Sequence, residues 1–379
     1  MRASNAAAAV LVLAVVACGG PSTPPSHTTA GTPSSSATSP LPSAGVTPST
    51  LASAVHCATA VPAGDNLVIG TVVGDPTVVV RDIQDPAHAR NLCTFDTTAQ
   101  SPQFVSGTMV GYETPSNQIV TSDLAGGGAT VLATYTAGFD SGQYAFSPDG
   151  RSMTYLDSNA WRLVTSSGNR VLSTLPAAPG RGISFDQDDS FLGFSPDGQY
   201  VAYFQTFHLG GTGETSPGQV RRVSDGALVY STTGATMAVW ASVPSRLFFR
   251  DSSGHVKRWD SSAGVTSMTT LVWVRPKASP DGRWIAYSFA TSAGVNQVGF
   301  YSVQSNGVSV TTLPGRSGPR FLSNDLVFYV GEKACSTCFG GQPTPTGVTY
   351  IYSITGASEI TSRLATVYDT WPKVTAPGL

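Results

Sequence analysis

A four-residue turn motif, Ser-Pro-Asp-Gly, occurs three times in this chain, each time just before an apolar strand pattern. The copies are FSPDGRSMTYL from Phe146, FSPDGQYVAYF from Phe194 and ASPDGRWIAYS from Ala278. Proline at the second position presets φ, and aspartate and glycine suit the third and fourth positions of a type I turn. A second strand, a second turn and a third strand follow each copy. With the short strand before the turn, each unit supplies four antiparallel strands.

The spacing of these turns predicts a repeat architecture. The clear copies begin at Ser147, Ser195 and Ser279, which lie 48 and 84 residues apart, so a degraded copy is expected in the longer gap. Adding the weaker matches gives seven anchors about 43 residues apart: Pro62, Ser106, Ser147, Ser195, Ser242, Ser279 and Ser323. A period of about 40 to 45 residues with four strands is typical of a β-propeller blade. We therefore expect an all-β, seven-bladed propeller, with six or eight blades left as alternatives.

The repeated unit resembles that of TolB-type propellers, which also occurs in the propeller domains of prolyl-oligopeptidase relatives. The resemblance covers about residues 56 to 371 and is strong in three units. It implies a fold and no catalytic residue, because the shared motif is architectural. Propellers host both enzymes and binding proteins, so the fold alone does not decide the function.

Composition agrees with many short strands and argues against one class of partner. The 379 residues include 40 Gly and 26 Pro, which favours strands joined by turns over helices. Charged residues make up 12%, with a net charge of −2. Nucleic-acid binding needs a basic face, so we expect no nucleic-acid partner.

The N-terminus has the pattern of a bacterial lipoprotein. Arg2 precedes an apolar run from Ala6 to Ala17 that is too short to span a bilayer, and it reads as a secretory signal. The residues before Cys18 resemble a lipobox, which predicts a signal peptide over 1–17 and lipid on Cys18. An ordinary signal peptide with an incidental cysteine is the alternative.

A low-complexity linker over 18–50 separates this cysteine from the propeller at 51–379. From Gly19 to Thr50, Ser, Thr and Pro account for 22 of 32 residues, with no Asp, Glu, Lys or Arg. Such a segment cannot bury enough apolar area to offset its ordering entropy, so we expect a disordered tether. The lipobox-like cysteine followed by this linker predicts localisation on the extracytoplasmic face of a bacterial membrane, held there by the lipid anchor.

Four cysteines remain when Cys18 is set aside: Cys57, Cys93, Cys335 and Cys338. An even number in an exported chain predicts two disulfides, and Cys57–Cys93 with Cys335–Cys338 is the simplest of three connectivities. The spacing of Cys335 and Cys338 is also that of redox motifs and of half a zinc site. Redox and metal roles therefore remain alternatives for that pair.

Motifs for catalysis or cofactors are absent. There is no HExxH, no GxSxG elbow and no phosphate loop, and the histidines are scattered singly. The carboxylates of Asp186, Asp188 and Asp189 could in principle hold calcium, but they lack the glycine and distal glutamate of an EF-hand loop, so a solvated connector is the preferred interpretation. We predict no catalytic residue, no metal and no cofactor.

Binding is predicted on the rim opposite the Ser-Pro-Asp-Gly turns. The long segments 176–190, 206–218 and 331–347 all fall there, and binding residues favour extended loops on a rigid scaffold. Tolerated surface insertion is the competing interpretation. The candidate contacts are Arg181, Phe207, His208 and Tyr350.

Two functions remain open from the sequence. The first is a non-enzymatic binding or scaffold lipoprotein, monomeric, with a protein or cell-envelope ligand. The second is a propeller enzyme, a lyase or glycan-acting hydrolase, on the cell surface. Convergent ionisable groups at the central channel would favour the second.

Overall fold

The computed structural model describes residues 50–58, 61, 66–137, 143–158, 160–174, 183–185, 190–204, 206–209, 212–215, 218–241, 244–269, 273–337 and 342–371. Within these ranges the chain is almost wholly β-strand, with one 3-10 turn at Pro86–His88 and no α-helix. The strands form seven four-stranded antiparallel blades of a propeller. The predicted fold and blade number are confirmed. The predicted signal peptide and linker lie outside the described residues, except for Thr50.

The chain enters through two short strands and then builds most of blade 1. The entry strands are β1 (Thr50–Ala52) and β2 (Val55–Cys57). Blade 1 then receives β3 (Leu67–Val72), β4 (Asp75–Asp82) and β5 (Arg90–Phe95).

Blades 2 and 3 each use four consecutive strands, from the channel outwards. Blade 2 contains β6 (Gln100–Ser106), β7 (Met109–Thr114), β8 (Gln118–Asp123) and β9 (Gly128–Thr134). Blade 3 contains β10 (Tyr144–Phe146), β11 (Met153–Asp157), β12 (Ala160–Thr165) and β13 (Gly168–Thr174).

Blade 4 is interrupted by a separate small sheet. The blade contains β15 (Phe191–Phe194), β16 (Tyr200–Phe204), β19 (Gly218–Arg222) and β20 (Leu228–Thr232). The small sheet contains β14 (Ile183–Phe185), β17 (Thr206–Leu209) and β18 (Thr212–Thr215).

Blades 5 to 7 return to the simple order. Blade 5 contains β21 (Thr236–Ala241), β22 (Arg246–Arg250), β23 (Val256–Asp260) and β24 (Gly264–Thr269). Blade 6 contains β25 (Val274–Ala278), β26 (Trp284–Ala290), β27 (Asn296–Ser302) and β28 (Gly307–Thr311). Blade 7 contains β29 (Arg316–Phe321), β30 (Leu326–Lys333), β31 (Thr344–Ser353) and β32 (Ser358–Thr361).

The ring is closed by the last strand, β33 (Leu364–Trp371), which is the innermost strand of blade 1. It pairs with β3 from Leu67↔Trp371 to Val72↔Leu364. The repeat pattern predicts contiguous units, and blade 1 departs from that prediction because its strands come from both ends of the domain. This pairing joins the two ends of the ring without a covalent connection.

The Ser-Pro-Asp-Gly motif forms the same turn in blades 3, 4 and 6. In blade 4 the Ser195 hydroxyl donates to Asp197 Oδ1 at 2.5 Å and accepts from the Tyr200 amide at 2.9 Å. Asp197 Oδ1 also accepts from the Gln199 amide at 3.0 Å. Gly198 has φ +67°, a conformation that glycine adopts without steric cost. The motif is therefore an architectural turn, whose buried serine finds its hydrogen-bond partners within the next five residues.

The core is divided among the interfaces between blades. Among the described residues, the buried apolar side chains fall into seven clusters, each shared by two adjacent blades. Between blades 1 and 2, for example, Phe95 packs edge-on against Tyr112, and Phe104 belongs to the same cluster. A single blade leaves both faces uncovered, so burial is complete only when the ring closes.

The outer strands share an irregularity that the sequence analysis did not predict. Six of the seven pairs between third and fourth strands in the described blades carry a register shift, with one extra residue on the outer strand. The β31–β32 pair of blade 7 shows none. Bulges of this kind disrupt an exposed edge and disfavour pairing with another chain.

Candidate binding site at the central channel

The innermost strand of each blade borders the channel, and four of these strands contain a bulge at the same place. The first paired residue after the bulge is Gln103 in blade 2, Val239 in blade 5, Lys277 in blade 6 and Arg320 in blade 7. The bulge residue has a positive φ, including the non-glycine residues Ser101, Met237 and Arg275 at 48°, 52° and 52°. Such bulges re-aim the strand and the side chains beside it. In blade 1, Asp369 is likewise the first paired residue after a shift in β33.

An apolar cavity of about 200 Å³ lies in the channel at the end that carries the Ser-Pro-Asp-Gly turns. Blades 3, 4 and 5 supply most of its wall, with Ala278 from blade 6. Its larger lining residues are Phe146, Pro148, Phe191, Phe194, Pro196 and Trp240. The two prolines belong to the turns of blades 3 and 4, so the repeated motif forms part of the wall as well as joining strands.

The shape of the cavity depends on small residues and on one oriented indole. Ala145, Gly193 and Val239 line it from neighbouring inner strands. A Cβ on Gly193 would lie 2.9 Å from the ring of Phe191, so glycine allows that ring to lie across the strand. Trp240 Nε1 donates to the Gly193 carbonyl at 3.1 Å, which satisfies its polar atom and leaves the indole as apolar surface.

The opposite rim contains the small sheet, which two of the predicted long segments build together. Segment 176–190 provides β14 and segment 206–218 provides β17 and β18, with pairs Ser184↔His208 and Phe185↔Phe207. Phe207 and His208 are therefore neighbours on its central strand β17. Arg181 and the acidic residues Asp186, Asp188 and Asp189 lie outside the described residues.

The fourth candidate, Tyr350, is separated from that sheet and already has an internal partner. It lies on β31 of blade 7, with the Arg316 guanidinium carbon 3.9 Å from the centre of its ring. Arg316 crosses the blade to reach both carboxylate oxygens of Glu359 at 2.9 and 2.7 Å. Gly331 leaves room for the Tyr350 ring, because a Cβ there would lie 2.6 Å from Thr346 Oγ1 and 3.0 Å from that ring. Of the three candidates that the structure describes, Phe207 and His208 are consecutive residues of β17, and Tyr350 lies on a strand of a different sheet.

A buried carboxyl group lies between blades 2 and 3. Glu113 is 6% exposed, and the Tyr135 hydroxyl donates to its Oε2 at 2.6 Å. Burial raises the pKa of Glu113, although hydrogen bonds from Tyr135 and Ser101 oppose the shift. Nearby, Tyr144 Oη donates to the Ser101 carbonyl at 2.6 Å, and burial raises the pKa of Tyr144 well above its usual value. This cluster packs blade against blade at the inner-strand bulge.

The cysteines stabilise the periphery. Cys57 and Cys93 form a disulfide between β2 and β5, where they are also directly paired. Strand β1 pairs with β9 of blade 2, so the entry segment spans the outer edges of blades 1 and 2. Cys335 is disulfide-bonded, whereas Cys338 and Cys18 lie outside the described residues.

Two negative findings apply to the described part of the chain alone. No group of three or more His, Cys, Asp or Glu side chains there could hold a metal ion. None of its helices is long and apolar enough to cross a membrane.

Comparison with known proteins supports the fold and goes no further. No family model and no curated protein matches the chain. Among solved structures, TolB from Acinetobacter baumannii is 18% identical with a TM-score of 0.40, covering 67% of this chain and 65% of that one. A putative TolB from Agrobacterium tumefaciens is 17% identical with a TM-score of 0.40, covering 74% and 88%.

A structure from a study of two prolyl endopeptidases gives a TM-score of 0.50 at 13% identity, covering 75% of this chain and 46% of that one. The chain thus spans less than half of that protein and just under two thirds of the Acinetobacter TolB. At these identities the likeness is one of fold. The predicted propeller is confirmed as a fold by the blades themselves, and TolB proteins are among the solved structures that resemble it.

Proposed function

We propose that this protein is a lipid-anchored, extracytoplasmic binding protein whose propeller holds a protein or cell-envelope ligand without catalysing a reaction. Two sequence features support the lipid anchor and the extracytoplasmic localisation: the lipobox-like residues before Cys18 and the linker up to Thr50. The propeller supplies a rigid scaffold beyond the linker. The proposed form is a monomer.

One observation carries the binding role, namely the apolar cavity of about 200 Å³ at the turn end of the channel. A cavity of about 150 Å³ is large enough to bind benzene, so this one accepts one bulky apolar group. Concave apolar sites with few polar groups are the usual form of a ligand pocket. This places the proposed site at the end of the channel opposite the long segments.

The test is capture of partners from native membranes with a matched pair of variants. Ala145→Leu places a larger side chain in the cavity, whereas Ala263→Leu makes the same change at an exposed turn of blade 5. We expect Ala145→Leu to lose the captured partner and Ala263→Leu to keep it. Equal retention by both variants, with unchanged melting, would rule out the channel as the site.

A third variant, lacking residues 209–215, decides between the two rims. This deletion removes most of the β17–β18 hairpin. If it loses the partner while Ala145→Leu keeps it, the long segments form the binding face. A captured partner that is chemically altered after incubation would favour the enzyme alternative.

The anchor is tested separately by Cys18→Ser. We expect this variant to appear in the soluble fraction or the medium, and unchanged membrane association would contradict the lipid anchor.

A further inference from the structure

The fourth strand forms the outer edge of each blade, and the edge of blade 7 differs from the other six. In blades 1 and 2 the entry strands β2 and β1 pair with the fourth strand and cover it. In blades 3 to 6 the fourth strand is uncovered in the described structure but contains a bulge. In blade 7, β32 has no bulge and, among the described strands, pairs with β31 alone. A regular, uncovered edge is a template for pairing with another chain.

The register of β32 identifies the main-chain groups that its free edge exposes. The Ser362 amide donates to the Thr349 carbonyl at 2.8 Å, so these residues form a hydrogen-bonded pair. In an antiparallel ladder such pairs alternate with pairs whose N–H and C=O groups point away from the partner strand. Counting back along the register, Ile360 is bonded to β31, whereas Thr361 and Glu359 direct their main-chain groups away from it. The amides and carbonyls of those two residues are therefore available to an added strand.

The side chains of β32 lack the features that usually block an edge. The strand reads Ser-Glu-Ile-Thr over Ser358–Thr361, with no lysine and no proline. Its only charged side chain, Glu359, is 20% exposed and accepts bonds from Arg316 at 2.9 and 2.7 Å. Ile360 is 48% exposed and lies on the opposite face, because successive side chains of a strand alternate. The edge thus presents one apolar side chain and a carboxylate that is already paired.

The entry segment of this chain shows what kind of strand such an edge accepts. Strand β1 pairs with residues 128–130 of blade 2, and β2 pairs with residues 93–95 of blade 1, both antiparallel. They read Thr-Leu-Ala and Val-His-Cys, with no Asp, Glu, Lys or Arg. Each pairs only with the regular part of the fourth strand, beside the extra residue of its bulge. The regular part of β32 is longer, with four paired residues.

We propose that the outer edge of blade 7 is a second interaction surface, on which an extended, uncharged segment of a partner protein adds as a fifth, antiparallel strand. Glu359 and Thr361 exchange main-chain hydrogen bonds with this segment, and one of its apolar side chains lies beside Ile360. Strand addition takes its affinity from main-chain bonds and its specificity from alternate side chains. The surface lies on the outside of the ring, away from the channel, and so goes beyond the proposed function.

The test compares two peptides that differ by one methyl group, by fluorescence anisotropy with the full-length protein. The probe is fluorescein-Gly-Gly-Thr-Val-Thr-Val-Gly-amide, in which the first valine is placed opposite Ile360 and the two threonines opposite Thr361 and Glu359. The control peptide is N-methylated at the second threonine, which removes one donor to β32. We expect the probe to bind about tenfold more tightly, because the lost bond leaves its acceptor unpaired. Equal affinities, or no binding of either peptide, would overturn the proposal.

Variants assign the binding to β32. Thr361→Pro removes an amide that β31 does not use and should abolish the difference between the peptides, whereas Thr361→Val keeps the amide and the difference. Ile360→Lys leaves the main chain unchanged and places a charge on the edge, so it should weaken the probe about tenfold even if Thr361→Pro destabilises the blade. Its control, Val265→Lys, makes the same change at a 47% exposed position on the bulged edge of blade 5 and should bind as wild type does. Undiminished probe binding by Ile360→Lys would contradict the proposal.

Other occupants of this edge, and another site for the peptide, give distinct results that would also overturn the proposal. Sedimentation showing that wild type dimerises and Ile360→Lys does not would assign the edge to a second copy of the chain. Protection of residues 358–361 from hydrogen exchange without peptide, lost on deletion of residues 19–49, would assign it to the linker. Ala145→Leu alters the channel cavity and should bind the probe as wild type does. Loss of the probe in that variant would place the peptide in the channel.

Discussion

Blades 1 and 2 are held in the ring differently from blades 3, 4 and 6, which carry the Ser-Pro-Asp-Gly turns. Blades 3 and 6 are contiguous, and blade 4 is interrupted only by the small sheet. In all three the inner strand joins the second strand through a turn whose bonds lie within six residues. Blade 1 combines β33 with β3, from opposite ends of the domain, and its outer edge is fastened by β2 and a disulfide. Short-range contacts form the turns of blades 3, 4 and 6, whereas blades 1 and 2 depend on contacts between residues distant in sequence.

This difference explains why the disulfide and the entry strands β1 and β2 are located at blades 1 and 2. Closing a ring through β3 and β33 costs chain entropy that a short turn does not. Next to the β3–β33 pairing, the entry segment adds β1 to blade 2 and β2 to blade 1. Ala54, between them, donates its amide to Tyr112 Oη at 2.9 Å. The disulfide-bonded region of blades 1 and 2 and the Ser-Pro-Asp-Gly turns therefore stabilise the ring independently of each other.

The largest effect on stability should come from removing the Cys57–Cys93 disulfide. The bond Cys57–Cys93 closes a loop with a sequence separation of 36, and its loss through Cys57→Ala with Cys93→Ala should lower unfolding free energy by about 3–4 kcal/mol in the chain-entropy model. Chemical denaturation measures this, with His56→Ala as the control for a change in β2 alone. Non-reducing peptide mapping that recovers both wild-type cysteines as free thiols would contradict the bond.

A smaller effect should follow from a side chain at the glycine of the turn. Gly150 and Gly198 have φ +68° and +67°, and alanine at a positive φ costs roughly 1–2 kcal/mol. A Cβ at Gly150 would also lie 3.0 Å from the Val105 carbonyl oxygen of blade 2, whereas at Gly198 its nearest neighbour is 4.0 Å away. Gly150→Ala should therefore melt lower than Gly198→Ala. The reverse order would show that contacts between blades do not constrain the turn.

Removing the turn carboxylate should cost less. Asp197→Ala and Asp281→Ala each remove an acceptor for a serine hydroxyl and for an amide two residues on. Caps and turns of this kind contribute about 0.5–2 kcal/mol. Thermal melting should show similar losses in both blades, because the bonds are the same. A loss in one blade only would mean that the neighbouring blade, and not the turn, sets the contribution.

The smallest expected effect is a pH dependence of stability at the interface between blades 2 and 3. Blade 2 carries β1, and blade 3 has the first Ser-Pro-Asp-Gly turn. Burial raises the pKa of Glu113 in the folded state above its ordinary value. The carboxyl therefore stabilises the fold below its unfolded pKa, and that contribution is lost as pH rises through the folded pKa. The melting temperature of wild type minus that of Glu113→Gln should fall as pH rises from below the unfolded pKa of about 4.3 through the raised folded pKa.

The matched control for this pH series is Asp123→Asn, which neutralises an exposed carboxyl in the same blade. Its melting difference from wild type should change less over the same range. A parallel pH dependence in both variants would contradict a specific role for the buried group.

The sequence alone determined the parts of this protein that depend on short-range chemistry. Ser195, Asp197 and Gly198 specify their turn through bonds within a few residues, so their recurrence revealed the blade, its period and the number of blades. The pairing of Cys57 with Cys93 was likewise the simplest arrangement for a short entry segment beside the first blade.

The tertiary structure decided what depends on residues far apart in the chain. The assignment of β33 to blade 1 and the small sheet of β14 with β17 arise from pairing across long separations, which leaves no local pattern. Tyr350 appeared available in the sequence, yet Arg316 covers its ring from a strand that precedes it by more than thirty residues. The cavity exists only because ring closure brings single residues from successive blades to one level. No individual repeat contains that arrangement, so only the closed ring could show it.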